Sequence, residues 1–186
     1  MTDRYSSGIT VVAYSPEWEH QFRSVADKLT TILSGLPLDA IEHVGSTSVP
    51  GLPAKPILDI DVIVQRDIMA PATLALMRAD YVHCGDLGLT DREAFSAPDE
   101  HPARNVYLCV TGTLHVRNHL AVRDVLRARS DLRDRYGAVK LQLASDPDMD
   151  IRRYLAGKSA VLQDILALSG LTAQEKRVIF DLNTRA

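Results

Sequence analysis

Two aspartates one residue apart in an apolar run, Leu58-Asp59-Ile60-Asp61-Val62, are the residues of this chain best placed to do chemistry. Side chains alternate along a strand, so Asp59 and Asp61 share one face while Leu58, Ile60 and Val62 share the other. Carboxylates at i and i+2 stand about 6.5–7 Å apart, within reach of divalent cations held about 3.5–4 Å from each other. Left unpaired, they repel each other and lose hydration, so the arrangement is costly unless a cation or hydrogen-bond donors compensate. Hard oxygen ligands of this kind suit Mg²⁺, which completes its shell with waters and substrate phosphates.

Upstream, Gly45-Ser46-Thr47-Ser48 follows directly on another strand-like run. A glycine there lets the backbone approach a ligand, and successive N–H groups with nearby hydroxyls can hold phosphate oxygens. Singly, an aspartate pair and a Gly-Ser turn are common; together they describe a cleft for metal and phosphate.

Basic residues that could line such a cleft are scattered along the chain. Lys55 and Arg92 fall in loops that would flank it, and Arg123 and Arg127 lie one helical turn apart, where both can face one phosphate group. Tyr136-x-x-x-Lys140 recurs as Tyr154-x-x-x-Lys158, a spacing that stacks each tyrosine beside its lysine. Lys158 falls inside the apolar arc of Ile151, Leu155, Leu162 and Ile165, which argues against a purely solvated side chain. The other basic residues nearby, Arg117, Arg129, Arg133 and Arg135, read as a solvated face.

Other chemical groups carry less weight. His43, next to Val44-Gly45, could approach a ligand or cap the edge of the core. His115 and His119 share a helix face and could join Cys84 or Cys109 around zinc, but no second compact ligand pair accompanies them and zinc is not expected. Gly157-Lys158-Ser159 lacks the earlier glycine of a P-loop and lies within a helical pattern.

Positioning these groups falls to a short list of elements. Ser15-Pro16-Glu17 opens a helix carrying Trp18, Phe22, Val25, Leu29 and Ile32, ended by Gly35 and Pro37. Leu38–Val44 and Pro56–Val64 read as strands, the second buried on both faces, joined by a loop over 45–55 with room for one helical turn. A helix over 67–80, a short strand over 81–84, a surface loop over 85–104 and a core strand over 105–111 follow. The remainder reads as helices over 116–129, 131–144 and 150–169, with a short one near the end. The expectation is a single domain over 1–186, an α/β core to residue 113 with a helical segment over 114–186 packed on it.

With 46% apolar and 24% charged residues the 186-residue chain can bury a core without disulfides. A net charge of −3 offers no global basic field, so long nucleic acid is not an expected partner, whereas a small anionic ligand is. Two cysteines outside any CxxC pair point to a reducing compartment. The opening MTDRYSSGITVVAY contains no apolar stretch long enough for a signal or a membrane span, and a cytoplasmic location is the expectation.

Gly45-Ser46 followed by Asp59-Ile60-Asp61-Val62 resembles the signature of DNA polymerase β-like nucleotidyltransferases, and HVGSTSVPGLPAKPILDIDV closely resembles the GrpB family (UPF0157) within that superfamily. YSPEWEHQF, DREAF, NHLAVRDVLR and the Tyr136/Lys140 pair extend the likeness over most of the chain. The resemblance implies a small mixed sheet flanked by helices, a nucleoside triphosphate over Gly45, Ser46 and Thr47, and Mg²⁺ on Asp59 and Asp61 as the catalytic acids. Lys55, Arg92, Arg123, Lys140 and Lys158 are the expected phosphate contacts. The implied chemistry is transfer of a nucleoside monophosphate to an acceptor, either a small molecule or a protein, with pyrophosphate leaving. Two departures stand out: the strand Asn105–Val110 lacks the third carboxylate usual in such enzymes, and Asn105 and Tyr107 stand where GrpB-like sequences often carry histidine. The alternative is a nucleotide-binding or regulatory module without catalysis, tied to coenzyme A metabolism by the fusion of GrpB-like domains to dephospho-coenzyme A kinases.

Overall fold

The structure is a computed structural model that describes residues 9–185. Most of the amino-terminal stretch read as lacking a leader, residues 1–8, lies outside the described residues. Among the described residues five strands form one mixed sheet: β1 (Leu38–Val44), β2 (Leu58–Val64), β3 (Val82–His83), β4 (Arg92–Ser96) and β5 (Arg104–Val110). Their order is β1-β2-β5-β4-β3, with β2 parallel to β5 and the other neighbours antiparallel.

Strand alternation sorts the sheet into two faces. Leu58, Ile60, Val62 and Val64 of β2, with Val106 and Leu108 of β5, pack against Trp18, Val25 and Leu29 of α1 (Glu17–Ile32) and Ala72 and Leu76 of α2 (Met69–Arg78). The start of α1 follows its sequence signal, since Ser15 Oγ accepts a hydrogen bond from the Glu17 N–H at 3.3 Å. Across the opposite face the register lays out three rows. These are Val44-Asp59-Asn105-Ser96, then Glu42-Asp61-Tyr107-Ala94, then Ala40-Ile63-Cys109-Arg92. All the polar chemistry of the motif therefore lies on the face away from α1.

On that second face α3 (Leu114–Ala128) packs against β1 and β5, with α4 (Ser130–Ala144) and α5 (Ile151–Ala167) packed on α3 and on each other and α6 (Ala173–Arg185) on α5. A small core of their own, Leu126, Tyr136, Val161 and Ile165, closes over Val49 and Leu52 from the loop that follows β1. The helices thus grip the Gly-Ser loop directly, and they do so at close range. A Cβ on Gly137 of α4 would lie 2.9 Å from Cδ of Pro53.

One sequence expectation fails here. Residues 85–104, read as a surface loop, contain β4, and the reason is a charged residue facing inward. Arg92 is buried, with its guanidinium 4.8 Å from the Tyr107 ring centroid and an N–H donated to Asp86 O at 3.2 Å. The backbone from Arg92 to Ser96 pairs antiparallel with β5, and the cation–π contact lets Arg92 face inward in a segment whose composition reads as solvent-exposed. The basic run of the carboxy-terminal helices is the solvated face its pattern suggests, with Arg129 paired to Asp131, Arg133 to Asp134 and Arg135 to Asp164.

The Gly137 contact can be tested by overpacking. Gly137→Val forces two further methyl groups against the rigid Pro53 ring, and the expected cost is about 1–3 kcal/mol despite the better helix propensity, read as a lower urea midpoint.

Candidate active site

Gly45 ends β1 with φ at 68°, and the chain then makes one 3₁₀ turn over Ser46–Ser48. The carboxylate of Asp59 needs that glycine as much as the turn does, because a Cβ at residue 45 would stand 2.2 Å from Asp59 Oδ2. The other oxygen, Oδ1, accepts from Asn105 Nδ2 at 2.8 Å. Burial pushes the Asp59 carboxyl above its ordinary range, the Asn105 bond and the His119 charge oppose the rise, Asp61 adds to it, and Lys55 opposes it.

One row along, Asp61 is fully buried. Its Oδ2 accepts from His119 Nδ1 of α3 at 2.9 Å, while Oδ1 has no hydrogen-bond partner. Burial alone would lower His119, but the charge of Asp61 and the bond to it turn the shift upward. The two acids share a face as alternation requires, with Asp59 against the Gly-Ser turn and Asp61 beneath His119.

Across from Asp59 stand the two tyrosine-lysine pairs. Burial, with Tyr154, pushes the Tyr136 phenol above its ordinary range, and the neighbouring Ser46 opposes the rise. Lys140 is 1% exposed, its Nζ lies 5.0 Å from the Tyr136 ring centroid, and that ammonium has no hydrogen-bond partner. Lys158 Nζ lies 4.4 Å from the Tyr154 ring centroid and Lys55 Nζ 6.0 Å from the same ring. Burial lowers Lys140 to about 7, with the charge of Lys158 adding and Asp59 opposing. Burial likewise lowers Lys158 to about 8, with Lys55 adding and Asp59 opposing, and lowers Lys55 against the pull of Asp59. Three cations that repel one another thus converge on a single carboxylate.

Of the residues singled out in the sequence, Gly45, Ser46, Lys55, Asp59, Lys140 and Lys158 come together in this cleft. Thr47 turns the other way, buried, with Oγ1 3.0 Å from His43 Nε2. Arg92 stands two rows from Asp59, at the Cys109 end of the sheet. Arg123 lies at the outer edge of β1, paired with Glu42 and Asp124 and donating to His43 O at 3.2 Å. Arg127 donates from Nε and an Nη to Ser48 O at 3.1 and 2.8 Å. Both arginines border a separate cleft of about 390 Å³, where Phe22 stacks on His43 with ring centroids 4.7 Å apart. Burial, then Arg127 and Arg123, lower His43 to about 4.

Three contributors escaped the sequence reading: Glu42, Asn105 in its role as a donor to Asp59, and His119 as the partner of Asp61. Glu42 is a carboxylate on a strand neighbouring β2, in one row with Asp61. Only the antiparallel register of β1 on β2 reveals it.

A family model described as GrpB protein matches residues 8–168. The chain belongs to the GrpB family. A UPF0157 protein of Halalkalibacterium halodurans is 33% identical to this GrpB chain over 171 residues, 90% of this chain and 86% of its own. The crystal structure of a GrpB protein from Enterococcus faecalis aligns with a TM-score of 0.73 at 31% identity, covering 85% of this chain and 98% of that one. Cid1 poly(U) polymerase, solved with Mg 3′-dATP, shares the fold with a TM-score of 0.56 at 15% identity, over 82% of this chain and 50% of its own. A dephospho-CoA kinase of Mycolicibacterium paratuberculosis is 28% identical over 183 residues, which are 84% of this chain but 44% of the kinase. The expected fold is met: a small mixed sheet flanked by helices, of the nucleotidyltransferase kind. No helix among the described residues is long and apolar enough to cross a membrane.

An unpartnered buried ammonium should weaken the fold that holds it. Unfolded, Lys140 takes up its proton near 10.5, and folded only near 7, so between those values the unfolded chain binds more protons and stability rises with pH. Lys140→Met should therefore raise the unfolding free energy at pH 7 by roughly 1–3 kcal/mol, with the gain shrinking toward pH 10.5. Urea unfolding of both proteins at neutral and alkaline pH checks this.

Proposed function

We propose that this GrpB protein is a Mg²⁺-dependent nucleotidyltransferase that moves a nucleoside monophosphate from a nucleoside triphosphate to a small-molecule or protein acceptor. The observation that carries the reading is the convergence of Lys140, Lys158 and Lys55 on Asp59 beside the Gly45-Ser46 turn, with Lys140 lacking any hydrogen-bond partner. Buried cations without partners are costly, and a polyphosphate supplies the missing charge and acceptors together. The α/β core and the helical segment then act as one unit, because the cleft takes its aspartates from the first and two of its lysines from the second.

The residues fit a hard divalent cation. Asp59 keeps Oδ2 beside the glycine that leaves room for it, and Asp61 joins the set when His119 gives up Oδ2. Bound there, Mg²⁺ would neutralise charge on the phosphate oxygens and align the attacking group with the leaving group. The chain's own residues do the remainder. Ser46 and the backbone of the turn orient the triphosphate, Lys140 and Lys158 hold negative charge that grows on the leaving pyrophosphate, and Tyr136, packed with Val49 and Leu52, holds α4 against the loop. Activation of the acceptor falls to a carboxylate on the same face, and Glu42, in line with Asp61, is the candidate.

A second reading rests on Asn105. It donates to Asp59 from the strand where a third acid would stand, an arrangement suited to a nucleotide-binding module without turnover. The dephospho-CoA kinase relative gives that module a setting in coenzyme A metabolism.

Both readings predict that each nucleoside triphosphate with Mg²⁺ raises the melting temperature, by about 2.7 kcal/mol of stabilisation at a hundredfold excess over Kd. Pyrophosphate release in the presence of a cell extract, abolished by Asp59→Asn, establishes the enzyme. Nucleotide binding without release leaves the module, and no thermal response at all rejects both.

A further inference from the structure

The inner side of Asp61 faces a second cluster. Oδ1 of Asp61 is enclosed with no hydrogen-bond partner, and so is Nε2 of His115 in the first turn of α3. One donor atom from each of Asp61, Cys109 and His115 lies within 4.8 Å of the other two. Asp61 and Cys109 are both fully buried, so this is no solvent-washed acidic patch. Orphaned polar atoms inside a protein mark a missing partner, and a carboxylate, a thiol and an imidazole meeting there define what that partner is.

We propose that this cluster, between β2, β5 and the start of α3, takes a divalent cation of the zinc class held by Asp61, Cys109 and His115. Thiolate and imidazole select zinc or cobalt over Mg²⁺, whose preference is for oxygen alone. Tetrahedral coordination sets donors about 3.5 Å apart, so the three side chains draw together on binding. His119, with its ring centroid 4.0 Å from that of His115 and its Nδ1 on Asp61 Oδ2, steadies the carboxylate from outside, as a supporting partner of a ligand does. Arg92 stands on the same face, in register with Cys109 and over the Tyr107 ring. The thiol proton leaves when the cation binds, so thiolate and carboxylate together cancel its charge and no net positive charge faces Arg92.

Spacing along the chain offers no second compact ligand pair for zinc. The fold supplies the ligands from three separate elements instead, which spacing along the chain cannot reveal. This site uses Oδ1 of Asp61, while Oδ2 is the oxygen the proposed Mg²⁺ would take, so the two sites meet at Asp61, and Asp59 and the lysines belong to the nucleotide site alone.

Cobalt(II) tests it directly. Metal-free protein, kept reduced without added thiols, is titrated with Co²⁺ while the near-ultraviolet spectrum is followed. The expected result is one Co²⁺ per chain with a thiolate-to-cobalt charge-transfer band. Cys109→Ser should lose the band and His115→Gln should weaken binding at least roughly tenfold, while Cys84→Ser and Asp59→Asn retain both band and affinity. His115 is only half-buried, so its variant stays informative should Cys109→Ser melt early by circular dichroism. A large excess of Mg²⁺ should leave the band in place. Absence of the band, a band that depends on Cys84, or one displaced by Mg²⁺ overturns the proposal. Asp59→Asn that keeps the band but no longer responds to nucleotide separates this site from the phosphate cleft.

Discussion

Positive charge held out of water without a partner is the constraint around which this molecule is arranged. Lys140 is buried beside the Tyr136 ring with no acceptor for its ammonium, the charge of Lys158 raises the cost further, and Lys55 does the same to Lys158. A fold with only a modest margin of stability retains such a cluster for a reason other than stability. The reason the geometry supports is a polyanion bound between the lysines and the Gly45-Ser46 turn, with Asp59 on the facing wall.

The architecture serves that arrangement at every level. Strand alternation sends the apolar residues of β2 into the core beneath α1 and α2 and leaves Asp59 and Asp61 on the other face. A helical segment that packs on Val49 and Leu52 then carries its tyrosine-lysine pairs over the acids. The tight contact of Gly137 with Pro53 holds α4 against the loop that carries Ser46. Glycine at position 45 is required twice, by its backbone conformation and by the Asp59 oxygen that occupies the space of a side chain.

Much of this was legible in the sequence because the signals were local. Alternation placed the two acids on one face, the i,i+4 spacing paired each tyrosine with its lysine, and the helical wheel put Lys158 on the inner arc. What escaped depends on pairing between distant segments. Glu42 aligns with Asp61, and Asn105 with Asp59, only through the register of β1 and β5 on β2. The strand β4 was hidden because Arg92 is buried by stacking on Tyr107, a tertiary contact with no local signature. Arg123 reads as a phosphate ligand by type and spacing, yet its nearest anions are Glu42 and Asp124 of the chain itself.

The most direct measurement is the ionisation of the cleft lysines themselves. Lysine side-chain NMR, followed through neutral and alkaline pH, should show Lys140 titrating at about 7 and Lys158 at about 8 in the free protein. Both should move upward when Mg²⁺ and a non-hydrolysable nucleoside triphosphate are added. Two lysines that titrate near 10.5 without ligand, or that do not respond to the nucleotide, would contradict the account.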